Sequence, residues 1–162
     1  MMRSAKWNFI STLALWAQFV FAFGAHAQIP DELSISAREA LPGDLSDAEF
    51  AAVLDDGVRT DNGVALATLV PRSDGSLIVV FIRQADGTYL AADASVIESA
   101  IFGYFGRSRT DYERYESEIM DLQQRDDDLI RLRVRTRAWR MGQRYTGGDV
   151  ILIRPNGLVL QR

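Results

Sequence analysis

From Ile130 to Ala138 apolar or small residues and arginines alternate without a break. Ile130, Leu132, Val134, Thr136 and Ala138 fall into one set, and Arg131, Arg133, Arg135 and Arg137 into the other. Only the two-residue period of a β-strand separates these sets onto opposite faces. The chain must therefore fold so that one strand buries its even-numbered face and turns four guanidiniums to the other side. Same-face residues recur every ~6.6–6.8 Å, so the four form a stripe of roughly 20 Å. Arginine's planar fork matches carboxylates and phosphates, which makes the stripe a candidate contact surface for an anionic partner. The competing explanation is a solvated strand face whose arginines pair with Asp and Glu of the same chain. Structural ion pairs are the commoner cause of such a pattern, and this chain is acidic. Nucleic acid is not expected as a partner, because neither aromatic interleaving nor a net basic balance accompanies the stripe.

Further strands are expected on either side of a helical stretch. Val64–Val70, Ser76–Arg83 and Thr88–Ala92 are β-rich and separated by Pro71-Arg72-Ser73-Asp74-Gly75 and Ala85-Asp86-Gly87. Turn residues between such runs read as hairpins. Near the C-terminus, Val150–Ile153 and Leu158–Leu160 flank Arg154-Pro155-Asn156-Gly157, whose composition suits a type I turn closed by a glycine bulge. Four Ser/Thr-x-x-Glu sets, beginning at Ser36, Ser46, Ser95 and Thr110, have the form of capping boxes that open helices. The last is expected to start the longest helix, with Tyr112, Tyr115, Ile119 and Leu122 as its apolar stripe. Asp126-Asp127-Asp128 then falls at that helix's C-terminus, where the dipole disfavours negative charge and frees the aspartates to lie near the arginines. The expected fold class is α+β: an antiparallel sheet of two β regions, about three strands each, with three or four helices packed mainly on one face.

The N-terminus reads as an address. Arg3 and Lys6 precede an uncharged, largely apolar run from Phe9 to Gly24, and Ala25-His26-Ala27 places small residues at −3 and −1 of a cut before Gln28. These are the parts of a cleavable export signal. Residues 1–27 are assigned to it, 28–45 to an N-terminal segment with a short helix, and 46–162 to a single domain. The expected location is the bacterial periplasm or the exterior, with no membrane span left after cleavage. All 22 acidic residues lie beyond Ala27 while Arg3 and Lys6 leave with the signal, so a formal charge of −4 becomes −6.

Cleavage would also remove the chain's one lysine, Lys6, and one histidine, His26; there is no cysteine anywhere. The remaining domain lacks a thiol nucleophile, an imidazole base, a Schiff-base amine and the usual zinc ligands. No P-loop and no dinucleotide fingerprint is present. No cofactor and no metal are expected. Asp55-Asp56-Gly57 and Asp61-Asn62-Gly63 are rich in oxygen but miss the spacing of a calcium loop, and read as a helix end and a turn. Glu113, Glu116, Glu118 and Asp121 contain material for the two carboxyls of a glycosidase-like envelope hydrolase, but nothing in the spacing selects a pair. Ile101-Phe102-Gly103-Tyr104-Phe105-Gly106 reads as core, or as a partner contact where exposed. The expectation carried forward is a small exported binding protein. Its contact residues are Arg131, Arg133, Arg135 and Arg137, and its partner is an acidic protein or an anionic envelope component. A carboxylate-based hydrolase and a passive structural domain are the alternatives.

Overall fold

The computed structural model describes residues 29–160. The segment read as an export signal lies outside the described residues. Two four-stranded antiparallel sheets, three α-helices and a single 3-10 turn make up what is described. The mixed α+β class is as expected, but each β region has four strands rather than about three.

The first sheet runs β1 (Val58–Arg59), β2 (Ala65–Arg72), β3 (Gly75–Arg83) and β4 (Tyr89–Ala91), in that spatial order. Its β2–β3 hairpin is tighter than the five-residue spacer suggested: Arg72 pairs with Gly75, and only Ser73 and Asp74 form the loop. The second sheet runs β5 (Arg114–Gln124), β6 (Ile130–Arg140), β7 (Gln143–Ile153) and β8 (Val159–Leu160), again in order. The two sheets pack through one apolar core. Ala65, Ala67, Ile78, Val80 and Ile82 come from the first, and Tyr115, Leu122, Ile130, Leu132, Val134, Ile151 and Ile153 from the second. Each buried Leu, Ile or Val contributes about 1.5–3 kcal/mol relative to exposure.

The run Leu77–Ile82 is apolar at every position because β3 is buried on both faces. Ile78, Val80 and Ile82 meet the second sheet, while Leu77, Val79 and Phe81 meet helices. Those helices are α1 (Asp31–Ala40) and α2 (Asp47–Asp55), which bring Leu33, Ala37, Phe50, Val53 and Leu54 onto the outer face of the first sheet. A third helix, α3 (Ala94–Gly103), does not join them: Ile97, Ile101 and Phe102 enter the core between the sheets. The expected packing mainly on one face thus holds for two helices, on the outer face of the first sheet, and is corrected for the third, which lies beside the inter-sheet core.

Of the four expected capping boxes, one opens the α-helix assigned to it. Ser46 accepts from the Glu49 N–H, and the Glu49 carboxylate accepts from the Ser46 N–H at 2.9 Å, opening α2. The Ser46 hydroxyl, donating to the same carboxylate at 2.6 Å, and then the Ser46 N–H pull the Glu49 carboxyl below its ordinary range. Ser36 lies inside α1, which starts after Pro30, and donates to the Tyr89 carbonyl at 2.7 Å. The cap of α3 is Asp93, which accepts from the N–H groups of Ser95 and Val96.

The fourth box belongs to no α-helix. Ser108 and Asp111 cap a 3-10 turn at Arg109–Asp111, and the chain then enters β5. The longest helix expected from the sequence is a strand. Tyr115, Ser117, Ile119, Leu122 and Gln124 share its inner face, since they pair with Ala138, Thr136, Val134, Leu132 and Ile130 of β6. A bulge between Ile119 and Asp121 inserts Met120 and resets the alternation. Spacings of four and then three from Tyr115 to Ile119 to Leu122 imitate a helix for that reason. Asp126-Asp127-Asp128 consequently forms a hairpin loop, not a helix end. Asp128 takes the left-handed conformation at φ 61°.

Candidate functional site

The sequence parity of β6 holds along its length. Ile130, Leu132, Val134, Thr136 and Ala138 are buried, and the Thr136 hydroxyl is satisfied by that of Ser117 at 3.1 Å. Arg131, Arg133, Arg135 and Arg137 lie on the opposite face, which no helix covers among the described residues. Their neighbours differ on the two sides. Toward β5, Glu116 stands opposite Arg137, Glu118 opposite Arg135 and Asp121 opposite Arg133. Toward β7, the same arginines meet Thr146, Gly148 and Val150, and Arg131 meets Leu152.

Ion pairs form at only part of the row. Arg135 reaches Glu118 at 3.6 Å, and Arg131 reaches diagonally to Asp121 at 3.9 Å. Arg133 and Arg137 have no carboxylate within 4.0 Å among the described residues. Arg114 stacks over Trp139 with its guanidinium carbon 4.0 Å from the ring centre, and Arg144 stands opposite Trp139 on β7. Across β5–β7 this face holds six arginines, at 114, 131, 133, 135, 137 and 144, against Glu116, Glu118 and Asp121. The result is +3 on a chain whose formal charge is −4. Screened surface pairs contribute at most about 1 kcal/mol each, so the two that form leave the guanidiniums available to a competing anion.

A second concentration of charge lies on the opposite face of β5, at its N-terminal end. The Tyr115 hydroxyl donates to Glu98 of α3 at 2.8 Å, and Arg72 and Arg109 approach the same carboxylate at 3.5 and 3.9 Å. Arg109 also pairs with Asp74 in the β2–β3 loop, and the Tyr115 N–H donates to the Asp74 carbonyl at 2.9 Å. Burial, then the bond to Glu98, pushes the Tyr115 phenol above its ordinary range. This network ties the hairpin, α3 and β5 together. Nothing in the sequence pairs these residues, because they come from four separate segments.

The network borders a groove of about 1100 Å³ between α2, the 42–45 segment, β2 and β5. Its carboxylates include Glu49, held in the α2 capping box; Asp74, held by Arg109; and Glu118, held by Arg135. Glu116, Glu118 and Asp121 share the open face of β5, and Glu113 accepts from the Met141 N–H at 2.8 Å. Of the four acids singled out as hydrolase candidates, Glu116, Glu118 and Asp121 are thus strand residues and Glu113 immediately precedes β5; none lies on a helix face.

Asp55 and Asp56 end α2, and Asn62 accepts from the Val64 N–H in a turn closed by Gly63 at φ 69°. Among the described residues no three His, Cys, Asp or Glu side chains are placed to hold a metal ion, and no helix is long and apolar enough to cross a membrane. The 101–106 segment divides: Ile101 and Phe102 are core, whereas Tyr104 is 60% exposed and covers Gly147. No protein-family model, curated protein or solved structure matches the chain.

Proposed function

We propose that this chain is an exported binding domain that engages an acidic protein or an anionic envelope component through Arg131, Arg133, Arg135 and Arg137. One observation carries the reading: the uncovered face of β5–β7 holds a net +3 on an acidic chain, with Arg133 and Arg137 free of ion pairs among the described residues. A row of guanidiniums about 20 Å long suits an extended anion, with carboxylates or phosphates meeting successive forks. The side toward β7 is the side of approach, because no acid flanks the row there.

The test compares the wild-type chain with a variant carrying Arg131→Gln, Arg133→Gln, Arg135→Gln and Arg137→Gln. Retention on immobilised poly-glutamate, retention on a phosphate polymer, and cross-linked partners from envelope extract are measured for each. The variant is expected to elute at lower salt from one polymer and to lose the corresponding partner. Unchanged retention and partners, with an intact circular-dichroism spectrum, would sink the proposal.

A further inference from the structure

We infer that the groove between α2 and the outer edge of β5 is a docking site for a short, extended, basic segment of a partner protein, added beside β5 as a further strand. Three observations converge on this site.

The first is an open backbone. β5 is the outermost strand of its sheet and pairs only with β6. The Tyr115 N–H points away from β6, to the Asp74 carbonyl. Backbone direction repeats every second residue, so Ser117 and Ile119 turn their N–H and C=O groups to the same open side. An unpaired strand edge is a template for another chain. β2 also borders the groove beyond Ala67, where β1 no longer pairs with it, but Pro71 has no N–H to offer there. The edge of β5 is the better template.

The second is an apolar floor beside that edge. Val53, Val58, Leu69 and Ile119 line the groove. An added strand turns alternate side chains to opposite faces, so one set would lie against this floor.

The third is charge. Asp44, Glu49 and Asp56 line the groove with no cation within 4.0 Å among the described residues, and Glu118 adds a fourth carboxylate. The two arginines present, Arg72 and Arg109, are already held by Glu98 and Asp74. The strand that β5 accepts on its other side shows the chemistry it favours: β6 sets Arg137, Arg135 and Arg133 against Glu116, Glu118 and Asp121. A second copy of this chain fits poorly, because β5 against β5 would bring those acids against one another. An occupant with alternating basic and apolar residues satisfies edge, floor and rim together.

The experiment uses the domain and three peptides: Arg-Val-Arg-Val-Arg, its twin Glu-Val-Glu-Val-Glu, and the basic peptide with alternate backbone nitrogens methylated. Amide shifts, amide exchange and sedimentation are followed. The basic peptide is expected to bind, shift residues 115–119 and 52–58, and slow exchange at Ser117 and Ile119. The acidic twin and the methylated peptide are expected not to bind. Asp44→Asn with Asp56→Asn is expected to weaken binding about fivefold. Arg133→Gln with Arg137→Gln, which leaves the Arg135–Glu118 pair in place, is expected to leave binding intact, which separates this site from the arginine face. Equal binding of the acidic twin or the methylated peptide, shifts confined elsewhere, or self-association through β5 would each overturn the inference.

Discussion

Gly75→Ala is expected to destabilise the domain by about 1–2 kcal/mol, while Gly147→Ala changes it by less than about 0.5 kcal/mol. Both sites are crowded. A Cβ at Gly75 would lie 2.6 Å from the Tyr115 carbonyl oxygen and 2.7 Å from its ring; at Gly147 it would lie 2.5 Å from the Tyr104 ring and 3.0 Å from the half-buried Phe105 ring, which has to give by only a few tenths of an ångström. What differs is the freedom of the neighbour. Tyr115 is held through its N–H to Asp74, its hydroxyl to Glu98, and its ring edge-on to Phe102 at 5.2 Å. It cannot retreat without moving β5, and overpacking of that kind costs about 1–3 kcal/mol. The alanine recovers roughly 0.4–1 kcal/mol by restricting the unfolded chain, since Gly75 has no left-handed φ to preserve. Tyr104, by contrast, is 60% exposed and can swing into water. Urea unfolding followed by far-ultraviolet circular dichroism reads both variants, and an unchanged m-value keeps the comparison valid. The Gly75 variant should also melt several degrees lower, at about 2–8 °C per kcal/mol. Equal stability of Gly75→Ala and wild type would refute the placement of β5 on the β2–β3 loop, and with it the strand assignment for 114–124.

Asp128 occupies the position that Gly87 and Gly157 take in two other hairpins with the same bonding, at φ 61° against 89° and 81°. Asp128→Gly is therefore expected to gain about 0.5 kcal/mol and Asp128→Val to lose about 1–2 kcal/mol by urea unfolding. The Tyr115 phenol ionises above its ordinary 10.0 in the fold, so its stabilisation is complete below pH 10 and falls above it, as the unfolded chain loses the proton first. Urea midpoints at pH 9 and 11 should show that fall in wild type, and a smaller one in Tyr115→Phe. Deleting Met120 is expected to preserve the fold within about 1 kcal/mol, because the residue is the extra one in a bulge. A loss of cooperative unfolding in the deletion would show that the bulge itself holds the strand.

How far the sequence could be read depended on whether each pattern was local and unbroken. The alternation from 130 to 138 has no insertion, and it led directly to a strand with its arginines outward. In β5 one inserted methionine was enough to defeat the same reasoning. Without it, Tyr115-Glu116-Ser117-Glu118-Ile119-Asp121-Leu122 alternates as cleanly as β6 does; with it, the apolar spacings become helical and Thr110…Glu113 imitates a cap. That single misreading also concealed the partners of the arginine row, since Glu116, Glu118 and Asp121 face β6 only when β5 is a strand. The α3 cap was misplaced because Asp93 and Ser95 are both good N-cap residues, and only the observed bonds choose between them. The groove had no local signal at all: its walls come from residues 42–58, 68–74, 109 and 118–119, which only the packing of two sheets and a helix brings together.

The bulge also bears on what the molecule presents to partners. Because Met120 resets the parity, Asp121 stays on the outward face beside Glu116 and Glu118, and Leu122 stays in the core. The acids of β5 thus form one line along the sheet edge, with the arginines of β6 behind them. An anion approaching over β7 meets guanidiniums first; a cation approaching the β5 edge meets carboxylates first. The same charges that pair across β5 and β6 therefore give the sheet two unlike approaches. The bulge limits how much of the edge another strand can use, leaving the stretch before Met120, where Ser117 and Ile119 turn their backbone groups outward. A short basic segment fits that stretch, whereas a long strand would have to cross the bulge. Selectivity for a brief partner segment over open-ended sheet growth follows from the placement of one residue.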